Sequence, residues 1–249
     1  MPATQLRAVF FDIGDTLWHA QAAPPASAFR EMAAGRATAF LAANGFTTDG
    51  AADLARIAWD SLEEAMRVAR AADLAEPDYG ARAGAALRSA GIHIDDATAS
   101  RFLDAIYVSG VDGGKQAYRD AAPVLSELKR RGFLIGSITN RAFGGIRFRD
   151  DLRAAGIDGV WDSHTVSVEV GYLKPHPAVF QHALASLSVR AGESLMIGNS
   201  LREDIAGAAR LGFKTAWKRS VPDAEDVEPD YVFDDLSELL ALSALRSAA

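Results

Sequence analysis

The sequence predicts an α/β protein, in which helices cover both faces of a parallel β-sheet and a helical segment is inserted after the first strand. Short apolar stretches typical of buried strands occur at residues 8–11, 133–138, 194–197, 215–217 and 231–233. Segments with helical spacing of apolar residues separate the strands of the second half, which is the alternation expected for a parallel sheet. Residues 24–110 contain no convincing strand pattern and show helical spacing instead.

The first strand, residues 8–11, ends directly in an acidic residue and a glycine-containing turn, Asp12-Ile13-Gly14-Asp15-Thr16-Leu17. Ligands of open parallel sheets bind outside the carboxyl ends of the strands, so a carboxylate at Asp12 is well placed for chemistry. An aspartate can act there as a nucleophile, as in enzymes that form an aspartyl-phosphate. The alternative is an aspartate that caps a turn, and this segment alone slightly favours that role.

The alanine-rich stretch of residues 24–110 predicts a bundle of four or five helices. Apolar residues recur there at helical spacing, and dipeptides such as Asn44-Gly45 and Pro77-Asp78 punctuate the pattern. Residues 22–25 and 110–114 are the predicted hinges, because they contain proline or glycine. We therefore expect a core of residues 1–20 and 111–249 and an inserted helical domain of residues 21–110.

Composition limits the classes of function. The formal net charge of -7 argues against a general nucleic-acid-binding protein, which normally carries a basic patch. The absence of cysteine excludes disulfides, thiol catalysis and zinc–thiolate sites. No apolar run approaches the roughly 18 residues that span a bilayer, and the N-terminus shows no signal-peptide pattern. We expect a cytoplasmic protein without nucleic-acid or membrane partners.

Three further segments place polar residues at strand ends or helix starts. Thr139 and Asn140 could donate hydrogen bonds to an anionic oxygen, although such residues more often form turns or N-caps. Lys174, in a proline-rich loop, could neutralise a nucleophile and a phosphate together, and a solvated loop lysine is equally expected. Asn199 and Asp204 could present oxygens to Mg²⁺; otherwise Asp204 is a first-turn acid favoured by the helix dipole.

In chain order, these segments resemble the sequence motifs of the haloacid dehalogenase-like hydrolase superfamily. The resemblance spans nearly the whole chain, and its third and fourth segments are highly specific in combination. It implies a Rossmann-like core with a helical cap domain inserted between the first and second motifs. The matching segments are residues 12–17, 139–140, 167–177 and 198–209.

The resemblance implies a role for each motif residue. Asp12 is similar to the family's nucleophile, Thr139 to its oxygen-binding hydroxyl, and Lys174 to its stabilising cation. Asp204 is similar to the retained acid of the metal-binding motif. Most members are Mg²⁺-dependent phosphatases, so the resemblance implies attack of Asp12 on phosphorus, followed by hydrolysis of the aspartyl-phosphate.

The sequence departs from the family pattern at two positions. The phosphatases usually carry an aspartate two residues after the nucleophile as general acid and base, but this position is Gly14, and the acid has moved to Asp15. Loss of a positioned general acid typically costs ~10²–10⁴ in rate. The first position of the metal motif, usually aspartate, is Asn199. Gly14 keeps a backbone carbonyl and Asn199 a side-chain oxygen, so both stay candidate metal ligands.

The predicted site combines these positions. The predicted catalytic residues are Asp12, Thr139, Lys174 and Asp15. The predicted substrate-binding residues are Thr139, Asn140, Arg141 and Lys174. The predicted Mg²⁺ ligands are Asp12, Gly14, Asn199 and Asp204. In addition, Glu169 is expected to orient Lys174.

The leading hypothesis is a Mg²⁺-dependent phosphatase, monomeric or homodimeric, that acts on a small phosphate ester. A second is a catalytically impaired protein that keeps the fold and binds its ligand, since Gly14 and Asn199 alter two catalytic positions. A third is a metal-independent 2-haloacid dehalogenase, because those relatives also attack with aspartate and lack the second acid. Arg30 or Arg36 would then bind the substrate carboxylate.

Overall fold

The computed structural model describes residues 5–20, 26–219 and 227–246. The chain separates into two compact units, one formed by Met1–Gln21 with Lys115–Ala249 and the other by Ala22–Gly114. We call the first the core unit and the second the helical unit. The predicted domain boundaries, after residues 20 and 110, stay a prediction of where the chain divides into functional domains.

Six strands of the core unit form a single parallel sheet. The strands in the described residues are β1 Ala8–Phe11, β2 Trp18–His19, β3 Gln116–Ala117, β4 Leu134–Thr139, β5 Ser163–Val166, β6 Ser194–Gly198, β7 Lys214–Lys218 and β8 Tyr231–Phe233. The sheet order is β5-β4-β1-β6-β7-β8, and β2 and β3 pair separately as an antiparallel ribbon. Because β1 lies between β4 and β6 and runs parallel to both, residues that follow these strands meet at one edge of the sheet.

The helical unit contains four helices in the part of the chain that the structure describes: α1 Ala26–Ala43, α2 Ala51–Ala71, α3 Tyr79–Ser89 and α4 Asp96–Ile106. α3 and α4 each begin after an aspartate. The side chains of Asp78 and Asp95 accept hydrogen bonds from the backbone amides of Ala81 and Thr98. These bonds satisfy amides that have no partner within the helix, which is the favoured N-cap geometry.

Alternate residues of β1 enter two different apolar cores. Val9 and Phe11 belong to one cluster of fully buried side chains, whereas Ala8 and Phe10 belong to another. Successive side chains of a strand point to opposite faces, so the sheet is buried on both faces, as parallel sheets are. Among the described residues, the α-helices of the core unit are α5 Ala121–Arg130, α6 Gly145–Ala154, α7 Ser167–Val170, α8 Pro177–Leu187 and α9 Gly207–Ala209, which continues a π-helical turn, Leu201–Ala206.

The structure confirms the predicted fold class, a Rossmann-like α/β sheet with an α-helical insertion. All five predicted strands agree with the structure within one residue at each end. β5 was not predicted, because its sequence Ser-His-Thr-Val has no apolar run and the strand lies at the edge of the sheet.

Two segments bear on the predicted hinges. Residues 110–114 form turns, whereas the hinge predicted at residues 22–25 lies outside the described residues. None of the described helices combines the length and the apolar character needed to cross a membrane.

Arg131 connects the end of α5 to the C-terminal part of the core unit. Its guanidinium donates to the carbonyl oxygens of Leu240 and Leu245, at 2.9 and 2.7 Å, and to Glu127 Oε1 at 2.8 Å. The Arg131 side chain is 17% exposed, whereas that of its neighbour Arg130, which also pairs with Glu127, is 75% exposed.

Replacement of Arg131 is expected to destabilise the fold. Arg131→Met leaves two backbone carbonyls without a donor, which should lower the free energy of unfolding by ~1–3 kcal/mol. The matched control is Arg130→Met, which removes an exposed ion pair and should leave the free energy of unfolding nearly unchanged. Chemical denaturation followed by circular dichroism measures both. Equal losses in the two variants would contradict the role assigned to Arg131.

Candidate active site

Lys174 lies buried at the edge of the sheet and connects two acidic residues. Its ammonium donates to Asp12 Oδ1 at 2.7 Å, to Asp204 Oδ1 at 2.6 Å, and to the carbonyl oxygen of Ile138 at 2.9 Å. The residue is 1% exposed, and these bonds use all three of its donors. The structure thus brings together three residues that the sequence places at positions 12, 174 and 204.

Each of these side chains is positioned by a neighbouring strand. The backbone amide of Asp12 donates to the carbonyl of Ile197 at 2.8 Å, which extends the pairing of β1 with β6 beyond the end of the strand. Asp204 lies in the helical turn that follows β6. Gly198 permits its approach, because a Cβ atom at position 198 would lie 2.3 Å from Asp204 Cγ.

Asn140 fixes the backbone of Lys174. Its Oδ1 accepts from the Lys174 amide at 2.7 Å, and its Nδ2 donates to the Lys174 carbonyl at 3.2 Å and to Glu203 Oε2 at 3.1 Å. Asn140 was predicted to bind substrate. In the structure both N–H donors of its side-chain amide and its oxygen bind protein groups, so substrate binding at Asn140 stays a prediction.

Thr16 joins the first and last motifs, a contact that the sequence analysis did not identify. Its hydroxyl lies 3.2 Å from Asp12 Oδ2 and 3.3 Å from Asn199 Oδ1. A hydroxyl has one proton to donate, so the two oxygens share it. Thr16 is fully buried. The signal was present in the sequence, because Thr16 lies in the turn that directly follows Asp12.

The buried ammonium of Lys174 is paired with two carboxylates, those of Asp12 and Asp204, and these charges shift the pKa of Lys174 and of Asp204. Burial lowers the pKa of the Lys174 ammonium, but the adjacent carboxylates of Asp12 and Asp204 outweigh burial and raise it overall. Burial raises the pKa of Asp204, and the charge of Asp12 raises it further, against the opposing effect of Lys174. When both acids are ionised, the three groups carry one net negative charge in a buried place.

The predicted metal ligands differ in the hydrogen bonds that their side-chain oxygens already accept. Asp12 Oδ2 and Asn199 Oδ1 meet at the Thr16 hydroxyl, whereas both oxygens of Asp204 already accept, from Lys174 Nζ and from the Ser200 amide at 3.0 Å. Within the described residues, no group of three or more acidic or histidine side chains is arranged to hold a metal ion. The oxygen donors and the net negative charge nevertheless fit a hard cation.

Thr139, predicted to bind a substrate oxygen, follows Ile138, whose carbonyl accepts from Lys174. Thr139 is buried, and its hydroxyl has no hydrogen-bond partner in the described part of the chain. The hydroxyl is therefore available as a donor to a ligand.

Three other residues to which the sequence assigned a role in the site differ from that expectation in their exposure or in their hydrogen-bond partners. Asp15 is exposed, with a left-handed backbone (φ 54°), and its side chain makes no hydrogen bond to any described residue. Arg141 binds Asp151 rather than standing free for a phosphate. Glu169 accepts from the Gly145 amide at 2.6 Å, so the expectation that it orients Lys174 is corrected.

Comparison with known proteins identifies relatives of two kinds. Over 125 residues, the chain is 34% identical to a glyceraldehyde 3-phosphate phosphatase of Pyrococcus furiosus, covering 48% of this chain and 51% of that protein. Over 131 residues, it is 31% identical to the pyrophosphatase PpaX of Bacillus mycoides, covering 51% of this chain and 60% of that protein. The matches thus span only about half the length of these curated relatives.

Solved structures show the same fold over nearly the whole chain. A 2-haloacid dehalogenase from Pseudomonas syringae superposes with a TM-score of 0.67 at 23% identity, covering 95% of this chain and 97% of that one. A HAD phosphatase from Thermococcus onnurineus superposes with a TM-score of 0.57 at 21% identity, with the same coverage. At these identities the likeness shows the fold alone.

The sequence model of one family matches residues 6–212, which include every motif residue described above. The match covers most of the chain and spans both units. The chain therefore belongs to the haloacid dehalogenase-like hydrolase family.

Proposed function

We propose that this hydrolase is a Mg²⁺-dependent phosphatase that acts on small phosphate esters through an aspartyl-phosphate at Asp12. The observation that carries the proposal is the buried Lys174 ammonium, bonded to Asp12, to Asp204 and to the carbonyl of Ile138, the residue that precedes Thr139. A nucleophile, a cation and an unused donor at one sheet edge are the groups that phosphoryl transfer requires. Two relatives named as phosphatases support the same chemistry.

The chemistry begins at the carboxylate of Asp12. Lys174 and Thr16 hold its two oxygens in a fixed orientation, and one oxygen forms a bond to phosphorus as the bond to the leaving oxygen breaks. Thr139 donates to a phosphoryl oxygen as negative charge builds up on it, and the positive charge of Lys174 stabilises that charge electrostatically. Water then attacks the aspartyl-phosphate, which releases inorganic phosphate and regenerates the carboxylate.

A divalent cation has a clear electrostatic purpose in this site. When both acids are ionised, two carboxylates against one ammonium leave a net negative charge, which would repel a phosphate dianion. The residues proposed to hold Mg²⁺ are Asp12, the Gly14 carbonyl, Asn199 and Asp204. Bound there, Mg²⁺ would supply the positive charge that attracts and polarises the phosphoryl group.

The departing oxygen has no obvious proton donor. Gly14 lacks a side chain, and the carboxylate of Asp15 is exposed and makes no bond to the described residues. An ester whose leaving group departs unprotonated reacts well only when that group is a weak base. We therefore propose that activated esters, such as aryl or acyl phosphates, are the best substrates.

A metal-independent 2-haloacid dehalogenase is the second candidate. It is favoured by Asp204, whose two oxygens are already bonded, and by the neutral amide at Asn199. Asp12 would attack the carbon that bears the halogen and displace halide, and water would hydrolyse the ester. Arg36, one proposed carboxylate ligand, instead binds the Tyr107 carbonyl and Asp112 within the helical unit. Its engagement there weakens this candidate.

Loss of the Asp12 carboxylate should abolish catalysis. Asp12→Asn keeps the size of the side chain but removes the nucleophile, so turnover of an aryl phosphate should fall by about 10³-fold or more. The control Asp150→Asn replaces an exposed acid of α6 that pairs with Arg153, and should retain wild-type turnover. If Asp12→Asn stays fully active while folded, the aspartyl-phosphate mechanism is wrong.

An acid restored at position 14 should change the dependence on the leaving group. A Cβ atom at Gly14 meets no heavy atom within 4 Å and the backbone there is not left-handed, so a side chain fits. Gly14→Asp should accelerate hydrolysis of alkyl phosphates by ~10²–10⁴ and flatten the plot of rate against leaving-group pKa.

Gly14→Asn is the matched control, because it adds the same bulk without a transferable proton, and should leave that slope steep. A slope that is already flat in the wild-type protein would mean that another acid protonates the leaving group. Asp15→Asn would then identify it.

The two candidate chemistries separate cleanly by their metal requirement. We expect hydrolysis of aryl phosphates to require added Mg²⁺ and to be lost in EDTA, with no chloride released from 2-chloropropionate under either condition. Colorimetric phosphate and chloride assays measure both reactions. Chloride release in EDTA that disappears in Asp12→Asn would establish the dehalogenase and overturn the phosphatase.

A further inference from the structure

Two hydrogen-bond donors of the core unit stand close together without acceptors. The ammonium of Lys115 lies 5.3 Å from the centroid of the Trp18 ring and donates no hydrogen bond to any described residue. Trp18 is 2% exposed, and its buried indole Nε1 also has no partner among the described residues. A buried donor without an acceptor costs about 1–3 kcal/mol, so folded proteins retain few of them.

The ribbon of β2 and β3 places both donors on one side. Trp18 pairs directly with Ala117, and opposed residues of an antiparallel pair share a face. Lys115 directly precedes β3, and its ammonium lies over the Trp18 ring. Trp18 thus lies on the strand that leaves the Asp12 turn, and Lys115 lies next to the strand that pairs with it.

The charge of Lys115 is poorly balanced. Burial lowers the pKa of its ammonium, and the positive charge of Arg141 lowers it further, while Asp15, Asp151 and Asp12 act in the opposite direction. Arg141 forms an ion pair with Asp151, and its guanidinium lies 5.5 Å from the centroid of the Trp18 ring. In the described residues, Lys115 has no carboxylate within ion-pair distance.

We infer that Lys115 and the indole N–H of Trp18 bind a second anionic group of the substrate. The substrate class is then a small phosphate ester that also carries a carboxylate or a second phosphate. The inference rests on the proposed phosphatase function, in which Asp12 and Lys174 face the transferred phosphoryl group. Lys174 has no donor left for a further anion, because its three N–H groups are used.

Binding of non-hydrolysable ligands tests the inference without turnover. Methylphosphonate offers one anionic group, phosphonoacetate adds a carboxylate, and methylenediphosphonate adds a second phosphonate. Isothermal titration at constant free Mg²⁺ should show that at least one of the two larger ligands binds about tenfold more tightly than methylphosphonate, the gain expected for one charge-assisted hydrogen bond. The ligand that gains identifies the second group.

Two variants locate the source of that gain. Lys115→Met should reduce the affinity ratio to near one. Trp18→Phe, which keeps an aromatic side chain but removes the N–H, should reduce it in the same direction. Lys129→Met is the control, because Lys129 pairs with Asp162 away from this cluster, and it should retain the wild-type ratio.

Equal affinity for all three ligands would overturn the inference, and so would a preference that persists in Lys115→Met. In either case, binding of methylphosphonate would still support the proposed phosphatase function. If methylphosphonate itself does not bind and aryl phosphates are not hydrolysed, the proposed function fails, and the inference fails with it.

Discussion

The buried ammonium of Lys174 is the interaction on which the arrangement of the site depends. A charged group out of water is tolerated only when opposite charge and hydrogen bonds surround it, and here two carboxylates and a carbonyl do so. The same contacts draw the ends of β1 and β4 and the turn after β6 towards one point. Removal of this cation would leave two buried carboxylates facing each other, so the geometry of the site and the stability of the core share one cause.

The fold was largely predictable, because parallel strands buried on both faces leave short apolar runs that stand out between helical patterns. The convergence of Asp12, Lys174 and Asp204 was predictable for a related reason, since each follows or flanks a strand that ends at the same edge. β5 escaped detection because an edge strand needs no apolar run. Its polar Ser163 and His164 resemble a loop.

The partners of individual side chains were much less predictable. Asn140 is a residue type that often binds ligands, yet its side-chain amide forms hydrogen bonds with Lys174 and Glu203. Glu169 and Arg141 likewise bind residues of α6, Gly145 and Asp151. Which partner a side chain binds depends on small differences in interatomic distance in the folded protein, and the spacing of residues along the sequence does not determine these distances. The cluster of Lys115 and Trp18 was missed for the same reason.

Two glycines lie near the nucleophile: Gly14 follows Asp12 by two residues, and Gly198 ends β6, the strand that pairs with β1. Their surroundings set opposite limits on how this scaffold could diverge. Because the space around Gly14 is open, a substitution there can add a functional group to the site with little disturbance of the fold. Gly198 presses against the carboxylate of Asp204, so even a methyl group would displace it. Natural or laboratory evolution of new activities should therefore explore the first position freely and leave the second untouched.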